Sequence, residues 1–278
     1  MSISAIMATF NADEYLDGAI NSFSRQSYAD KELIVIDGGS TDRTTEILGT
    51  YSSILAGFLS EPDSGIFDAW NKGLALVTGD WVYFMGADDR FFSDRSLHLI
   101  AERLDELPRE VLIAYAPVAL QRSDDEVVGI IGAKWDSQAF RCEGMTIPHQ
   151  GTFHRRELFQ RFGVFDIKLG PTAVYEFLLR YLCTGDAVFL SGPPVAFMGL
   201  GGVSTRPENQ LQFMKSYRAA QIKHGVLRPS LKRWMYFVQA YIKALMFRLL
   251  PVQLAGELVE ISRSLAGKKK HYRRTSNP

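Results

Sequence analysis

Ile3 to Phe10 (ISAIMATF) is a continuous apolar, β-prone run and predicts a buried strand. Polar residues 11–14 follow, and Leu16, Ala19, Ile20 and Phe23 then recur at helical spacing within residues 15–26. A second apolar run, residues 32–39 (ELIVIDGG), stops abruptly at Asp37-Gly38-Gly39, with Ser40 or Thr41 placed to cap a helix starting near Arg43. The alternation continues with a short strand at 54–61, a helix at 66–79 closed by Gly79, a strand at 80–86 and a helix at 94–107. Residues 111–120 and 127–135 read as strands paired around the polar turn 121–126. Helices are predicted at 155–162 and 172–185, with a strand at 186–192. Strand and helix in this order predict an α/β domain built on a mostly parallel, Rossmann-like sheet with flanking helices.

Open sheets of this kind bind ligands outside the carboxyl ends of their strands. Three such ends carry polar residues: Thr9-Phe10-Asn11, Asp37-Gly38-Gly39 and Ala87-Asp88-Asp89. The last follows the aromatic run 80–86 (DWVYFMG) and sets two carboxylates side by side. A solvated turn accounts for the residue types; a cation between the carboxylates accounts for the types and the place. The chain has neither a GxGxxG loop nor a Walker A loop, which removes the main signals for dinucleotide and P-loop binding.

The succession 9-TFNADEYL-16, 32-ELIVIDGGSTDRT-44, 61-EPDSGIFDAWNKGLALVTGDWVYFMGADD-89 and 148-PHQGTFHRREL-158 resembles the inverting family-two glycosyltransferases, in their bacterial exopolysaccharide and colanic-acid-type branch. The resemblance covers roughly the first 200 residues in order. It implies a GT-A fold, with a nucleotide-sugar-binding half at 1–110 and an acceptor half at 111–227. It also implies transfer of a sugar from a UDP- or GDP-linked donor, with inversion, onto a lipid-linked saccharide acceptor. A divalent Mn2+ or Mg2+ would be held by Asp88 and Asp89, with Asp88 as ligand or ribose contact; such hard ions prefer oxygen ligands. Many relatives carry a further Asp two places before Asp88, where this chain has Gly86, so water or phosphate oxygens are expected to complete the shell. By the same resemblance Asp37 accepts a hydrogen bond from the nucleobase, and Thr9 and Asn11 line that pocket. Asp68, Asn71 and Lys72 share one helical turn, with Lys72 a phosphate partner or part of a solvated face. His149 joins the metal or the diphosphate, or is structural.

The catalytic base is the point of departure from the family. Inverting transfer needs a carboxylate to take the acceptor proton. Relatives place an Asp just before the run matching 175-YEFLLR-180, and here that position is Val174. Glu176 and then Asp166 are the candidates that remain, although Glu176 lies roughly 200° around a helix from position 174.

Charge and cysteine content narrow the setting. From Arg228 onward eleven Lys and Arg face two Glu, a net of +9, against −9 for residues 1–227. Trp234, Phe237, Val238, Tyr241 and Leu245 repeat at helical spacing, and 268-KKKHYRR-274 follows. Residues 228–278 therefore read as a basic amphipathic helical extension, either lying on an anionic membrane surface or packed on the catalytic domain. Nucleic acid is not an expected partner, because the basic residues are terminal rather than on a face within the fold. Two cysteines without metal-ligand spacing, and no signal-peptide pattern at the start, point to a cytoplasmic setting, peripheral to the inner face of the membrane. Two competing functions share the pattern: a sugar nucleotidyltransferase, which usually has a Gly-rich basic loop where this chain reads 9-TFNADE-14, and a catalytically impaired nucleotide-sugar-binding subunit.

Overall fold

The computed structural model describes residues 1–122, 125–199, 210–226, 228–250 and 254. Its centre is a seven-stranded sheet. β1 (Ile3–Thr9) lies between β2 (Lys31–Asp37) and β4 (Trp81–Gly86), with β3 (Leu55–Ser60) beyond β2, and all of these pairings are parallel. Every residue of β1 is buried, as expected for a strand covered on both faces. Helices α1 (Leu16–Ser24), α2 (Thr44–Thr50) and α4 (Ser96–Asp105) enclose one core, around Leu16, Phe23, Leu48 and Leu97. Helix α3 (Ile66–Leu74) belongs to a second core, which also contains Trp70, Phe84, Phe165 and Phe177.

The expected strand at 111–120 divides. β6 (Ile113–Tyr115) joins the large sheet, whereas β7 (Val118–Gln121) joins a second sheet ordered β5 (Arg90–Phe91), β11 (Ala196–Gly199), β7, β8 (Val127–Ile131). Pro117 explains the break, since proline has no N–H to donate to a ladder. β7 and β8 pair antiparallel around the polar turn, as the pattern predicts. The predicted strand at 186–192 shrinks to β10 (Val188–Phe189), and the helix at 66–79 stops at Leu74. β9 (Thr152–Arg155) is the one antiparallel member of the large sheet, wedged between β4 and β6. Its four residues include His154 and Arg155, too short and polar a run to stand out in the sequence.

Five further α-helices among the described residues complete the fold. α5 (Ser137–Glu143) is capped by Asp136, which accepts the Ala139 N–H at 2.8 Å. α6 (Arg156–Phe162) and α7 (Ala173–Leu182) match their predicted spans to within a few residues. α8 (Gln210–Lys223) packs against α7, and α9 (Leu231–Leu249) packs on α8 and α5. Residues 255–278, which hold the basic run, lie outside the described residues.

Candidate active site

The carboxyl ends of β1, β2 and β4 meet at one edge of the large sheet. Thr9 and Asp37 are register partners, and the Gly38 N–H donates to the Thr9 carbonyl at 2.9 Å. Asn11 adopts a positive φ of 47° and accepts the Thr41 N–H on its side-chain oxygen at 2.9 Å, which ties the loop after β1 to the loop after β2. Thr9 is buried, and its hydroxyl has no hydrogen-bond partner among the described residues. An unpartnered buried hydroxyl is costly unless something binds there.

Asp88 and Asp89 close the end of β4. Asp89 Oδ2 accepts the Gly86 N–H at 2.7 Å. Burial raises the Asp89 carboxyl to about 7, the Gly86 N–H opposes that, and the Asp88 charge adds to it. Asp88 is exposed, and among the described residues no donor reaches its carboxylate. Gly86 makes this arrangement possible: a Cβ there would stand 2.8 Å from Asp88 Oδ1. Two adjacent carboxylates, one partly buried and reluctant to ionise, form an oxygen donor set suited to a hard divalent cation. Among the described residues no cluster of three or more His, Cys, Asp or Glu could hold a metal, so the protein contributes these two groups and other oxygens must complete the shell.

Asp37 is built into the loop after β2. It is fully buried, and its carboxylate accepts from the Gly39 and Ser40 N–H groups and from the Ser40 and Ser60 hydroxyls. Three of these donors fall on Oδ2 and only the Ser40 hydroxyl on Oδ1, so the carboxylate shapes the loop while one acceptor position on Oδ1 remains. Asp42, the residue better suited to capping, accepts the Thr44 and Asp13 N–H groups.

Lys72 and Asp68 also serve the loop after β3. Lys72 Nζ lies 2.8 Å from Glu61 and donates to the Pro62 carbonyl at 3.2 Å, and Asp68 accepts the Ser64 N–H at 3.0 Å. Lys72 is therefore engaged by the protein rather than open to a phosphate. Asn71 clasps Phe165 with both ends of its amide, at 2.8 and 3.0 Å, and so ties the segment carrying Asp166 to α3. Asp166 is half-buried and accepts the Lys168 N–H at 3.1 Å.

His149 sits in an aromatic cluster, with its ring centroid 4.9 Å from Trp70 and 6.1 Å from Phe84. Burial holds it neutral, at about 4, and holds the neighbouring His154 at about 3 with the help of His149. Neither ring nitrogen of His149 nor Trp70 Nε1 has a partner among the described residues, and the same is true of the Thr172 hydroxyl at the start of α7. A neutral imidazole can ligate a metal or donate one hydrogen bond, but it cannot neutralise a diphosphate. Trp70 and Thr172 carry no signal in the sequence; only burial without a partner marks them.

Glu176 does not face this edge. It is fully buried, with Arg180 at 2.6 Å on one oxygen and Lys223 and His224 each at 2.8 Å on the other. Burial alone would raise its carboxyl, but hydrogen bonds from Arg180, Lys223 and His224 outweigh that and hold it at about 2. A carboxylate held so far down, with both oxygens occupied, is a poor proton acceptor, which corrects its candidacy as the base. Val174, two residues earlier, is apolar and buried. The cluster instead fastens α8 onto α7. Glu176→Gln should lower folding stability by about 3 kcal/mol, since removing one member of a buried ion cluster strands the others. Because the folded carboxyl lies below its ordinary value, this contribution is complete above about pH 4.5 and disappears as pH falls toward 2. Denaturant melts of both proteins from pH 7 to pH 3 would check it: a gap that does not narrow on acidification contradicts the assignment.

The glycosyl transferase family 2 profile matches residues 4–159. A PGL/p-HBAD biosynthesis glycosyltransferase of Mycobacterium tuberculosis is 32% identical over 180 residues, which is 64% of this chain and 68% of that protein. Among solved structures, Staphylococcus aureus TarS 1–349 in complex with UDP-GlcNAc is 18% identical with a TM-score of 0.62, covering 95% of this chain and 78% of that one. The mannosyltransferase PcManGT from Pyrobaculum calidifontis, in complex with GDP-Man and Mn2+, is 17% identical with a TM-score of 0.65, covering 96% and 81%. The chain covers 46% of a longer TarS structure. At these identities the structural likeness establishes the fold, which is GT-A.

Proposed function

Because the chain belongs to glycosyl transferase family 2, we propose that it moves a sugar from a UDP- or GDP-linked donor, with inversion, onto a lipid-linked saccharide in bacterial surface polysaccharide synthesis. The observation that carries this reading is the convergence at one sheet edge of the unpartnered Thr9 hydroxyl and the Asp88–Asp89 pair. Residues 1–110 hold the donor in this reading, and residues 111–227 hold the acceptor.

Asp88 and Asp89 would hold a Mn2+ or Mg2+ ion, which would supply positive charge to offset the negative charge developing on the leaving diphosphate. Asn11 and Thr9 line the nucleotide side of the edge. Asp166 takes the acceptor proton: it is half-buried, and the Asn71 clasp fixes its segment against α3. His149 offers its partnerless ring nitrogens to the polar part of the donor or to the metal, and Trp70 offers its indole N–H to an oxygen of the donor. Incubation with labelled UDP- and GDP-sugars, Mn2+ and bacterial lipid extract tests the whole reading. The expected result is label in an organic-extractable product of inverted anomeric configuration; label confined to water-soluble products would remove the lipid-linked acceptor.

One observation favours a second reading, that of an impaired nucleotide-sugar-binding subunit. The position matching the family's base is the buried Val174, and the next carboxylate along α7 is sealed into an ion cluster. Transfer that rises only when a carboxylate is restored at position 174 would decide for it.

The last element of the reading is attachment to an anionic membrane surface through α9. No helix among the described residues is long and apolar enough to cross a membrane. Yet α9, while packed on α5 and α8, leaves Trp234, Met235, Tyr241 and Ile242 each at least half exposed. An aromatic face joined to a basic segment suits the headgroup region on the cytoplasmic side. Trp234→Ser with Tyr241→Ser should weaken binding to phosphatidylserine vesicles about tenfold, and high salt should weaken the unaltered protein as well. Equal binding by both proteins would leave α9 as a packed helix only.

A further inference from the structure

Asp166 lies on a loop that apolar packing anchors at a single point: of residues 163–168 only Phe165 is buried. Hydrogen bonds hold the rest. Asn71 of α3 grips both polar groups of the Phe165 backbone, and Arg180 of α7 donates from Nη1 to the carbonyls of Phe162 and Val164, at 2.8 and 2.9 Å. We propose that Arg180 is a positioning residue for sugar transfer, fixing this loop so that the Asp166 carboxylate stands where it can take the acceptor proton. The inference rests on the assignment of Asp166 as base in the reading above.

The guanidinium is itself held in one orientation. Nε and Nη2 both donate to Glu176 Oε2, at 3.1 and 2.6 Å, which leaves Nη1 for the two carbonyls. Its Cζ stands 5.3 Å from the ring centroid of Phe177, and that ring in turn meets Phe165 at 5.0 Å. Gly163 lets the chain pass this close. Its φ is 81°, in the left-handed region, and a Cβ there would lie 3.4 Å from Arg180 Nη1. Behind Glu176 stand Lys223 and His224 of α8, each 2.8 Å from Oε1. Polar contacts thus run unbroken from α8 through Glu176 and Arg180 to the peptide groups just before Asp166. Such support matters for a base, because a displacement of about 1 Å can lower a rate on the order of 10²-fold.

The alternative is that Arg180 only satisfies the carbonyls at the C-terminal end of α6, a purely structural duty. A double-mutant cycle between Arg180→Lys and Asp166→Asn separates the two. Lysine keeps a positive charge beside Glu176 but replaces the planar fork with one ammonium, which cannot span Glu176 and both carbonyls. The four proteins are compared for transfer of labelled sugar from a UDP- or GDP-linked donor, with Mn2+, into bacterial lipid extract. Arg180→Lys should lower kcat for transfer about tenfold while the donor KM stays within about twofold. In the Asp166→Asn background the same substitution should lower kcat by less than about twofold, because no base is left to position. Thermal melts establish folding. If Arg180→Lys does not fold, His224→Gln, which loosens the far end of the network, carries the same comparison with an expected loss of about threefold. Full transfer by the folded variant, or an equal loss in both backgrounds, overturns the proposal and leaves Asp166 as base. An inert Asp166→Asn removes the base assignment and the inference with it, and absence of transfer by the unaltered protein does the same.

Discussion

Asp88→Asn and Asp89→Asn are each expected to lower sugar-transfer turnover by a factor on the order of 10²–10³, the range seen when one preorganised group that stabilises transition-state charge is removed. The two substitutions should differ in how they fail. Asp88 is exposed and has no internal duty, so its loss should raise the Mn2+ concentration needed for half-maximal rate and leave stability nearly unchanged. Asp89 is held by the Gly86 N–H, so its replacement also disturbs the end of β4. Protons compete with the metal for these carboxylates. With Asp89 raised to about 7, metal affinity should fall as pH drops below that value and reach a plateau above it. Rates measured against Mn2+ from pH 5.5 to pH 8.5 would show this. Full activity of both variants in chelator would end the metal assignment.

Asp166→Asn should lower transfer to the acceptor by about 10²-fold or more, the usual contribution of a positioned base, while donor binding stays close to normal. The split follows from the proposed role, because a base acts on the acceptor hydroxyl and not on the nucleotide. Asn also preserves the contact that Asp166 makes to the Lys168 N–H, so the local turn should persist. Val174→Asp supplies the independent arm. If Asp166 is the base, a carboxylate at position 174 should add little; a gain of tenfold or more there, with Asp166→Asn inert, would show that the chain has lost its base and would support the impaired-subunit reading.

Much of this architecture was legible in the sequence because fully buried parallel strands leave unbroken apolar runs. Residues 3–9, 31–37 and 81–86 could hardly be anything else, and the polar residues just after them marked the edge where a site belongs. The elements that escaped are short and owe their form to long-range partners. β9 is a strand because β4 and β6 flank it, and β11 because β5 and β7 do. The same contrast holds for the site. Asp88 and Asp89 were visible as a local anomaly at a strand end. Asp37 and Glu176 were visible too, but their roles depend on partners distant in sequence, Ser60 for the first and Lys223 and His224 for the second.

The central claim is that the edge formed by β1, β2 and β4 binds and activates a nucleoside-diphosphate sugar with a divalent metal. The most direct measurement is release of free nucleotide from a panel of UDP- and GDP-sugars, with Mn2+ or Mg2+ and in matched chelator controls. The account predicts release from at least one donor, dependent on metal and abolished by Asp88→Asn. No release from any donor, together with no binding of UDP or GDP, would contradict it.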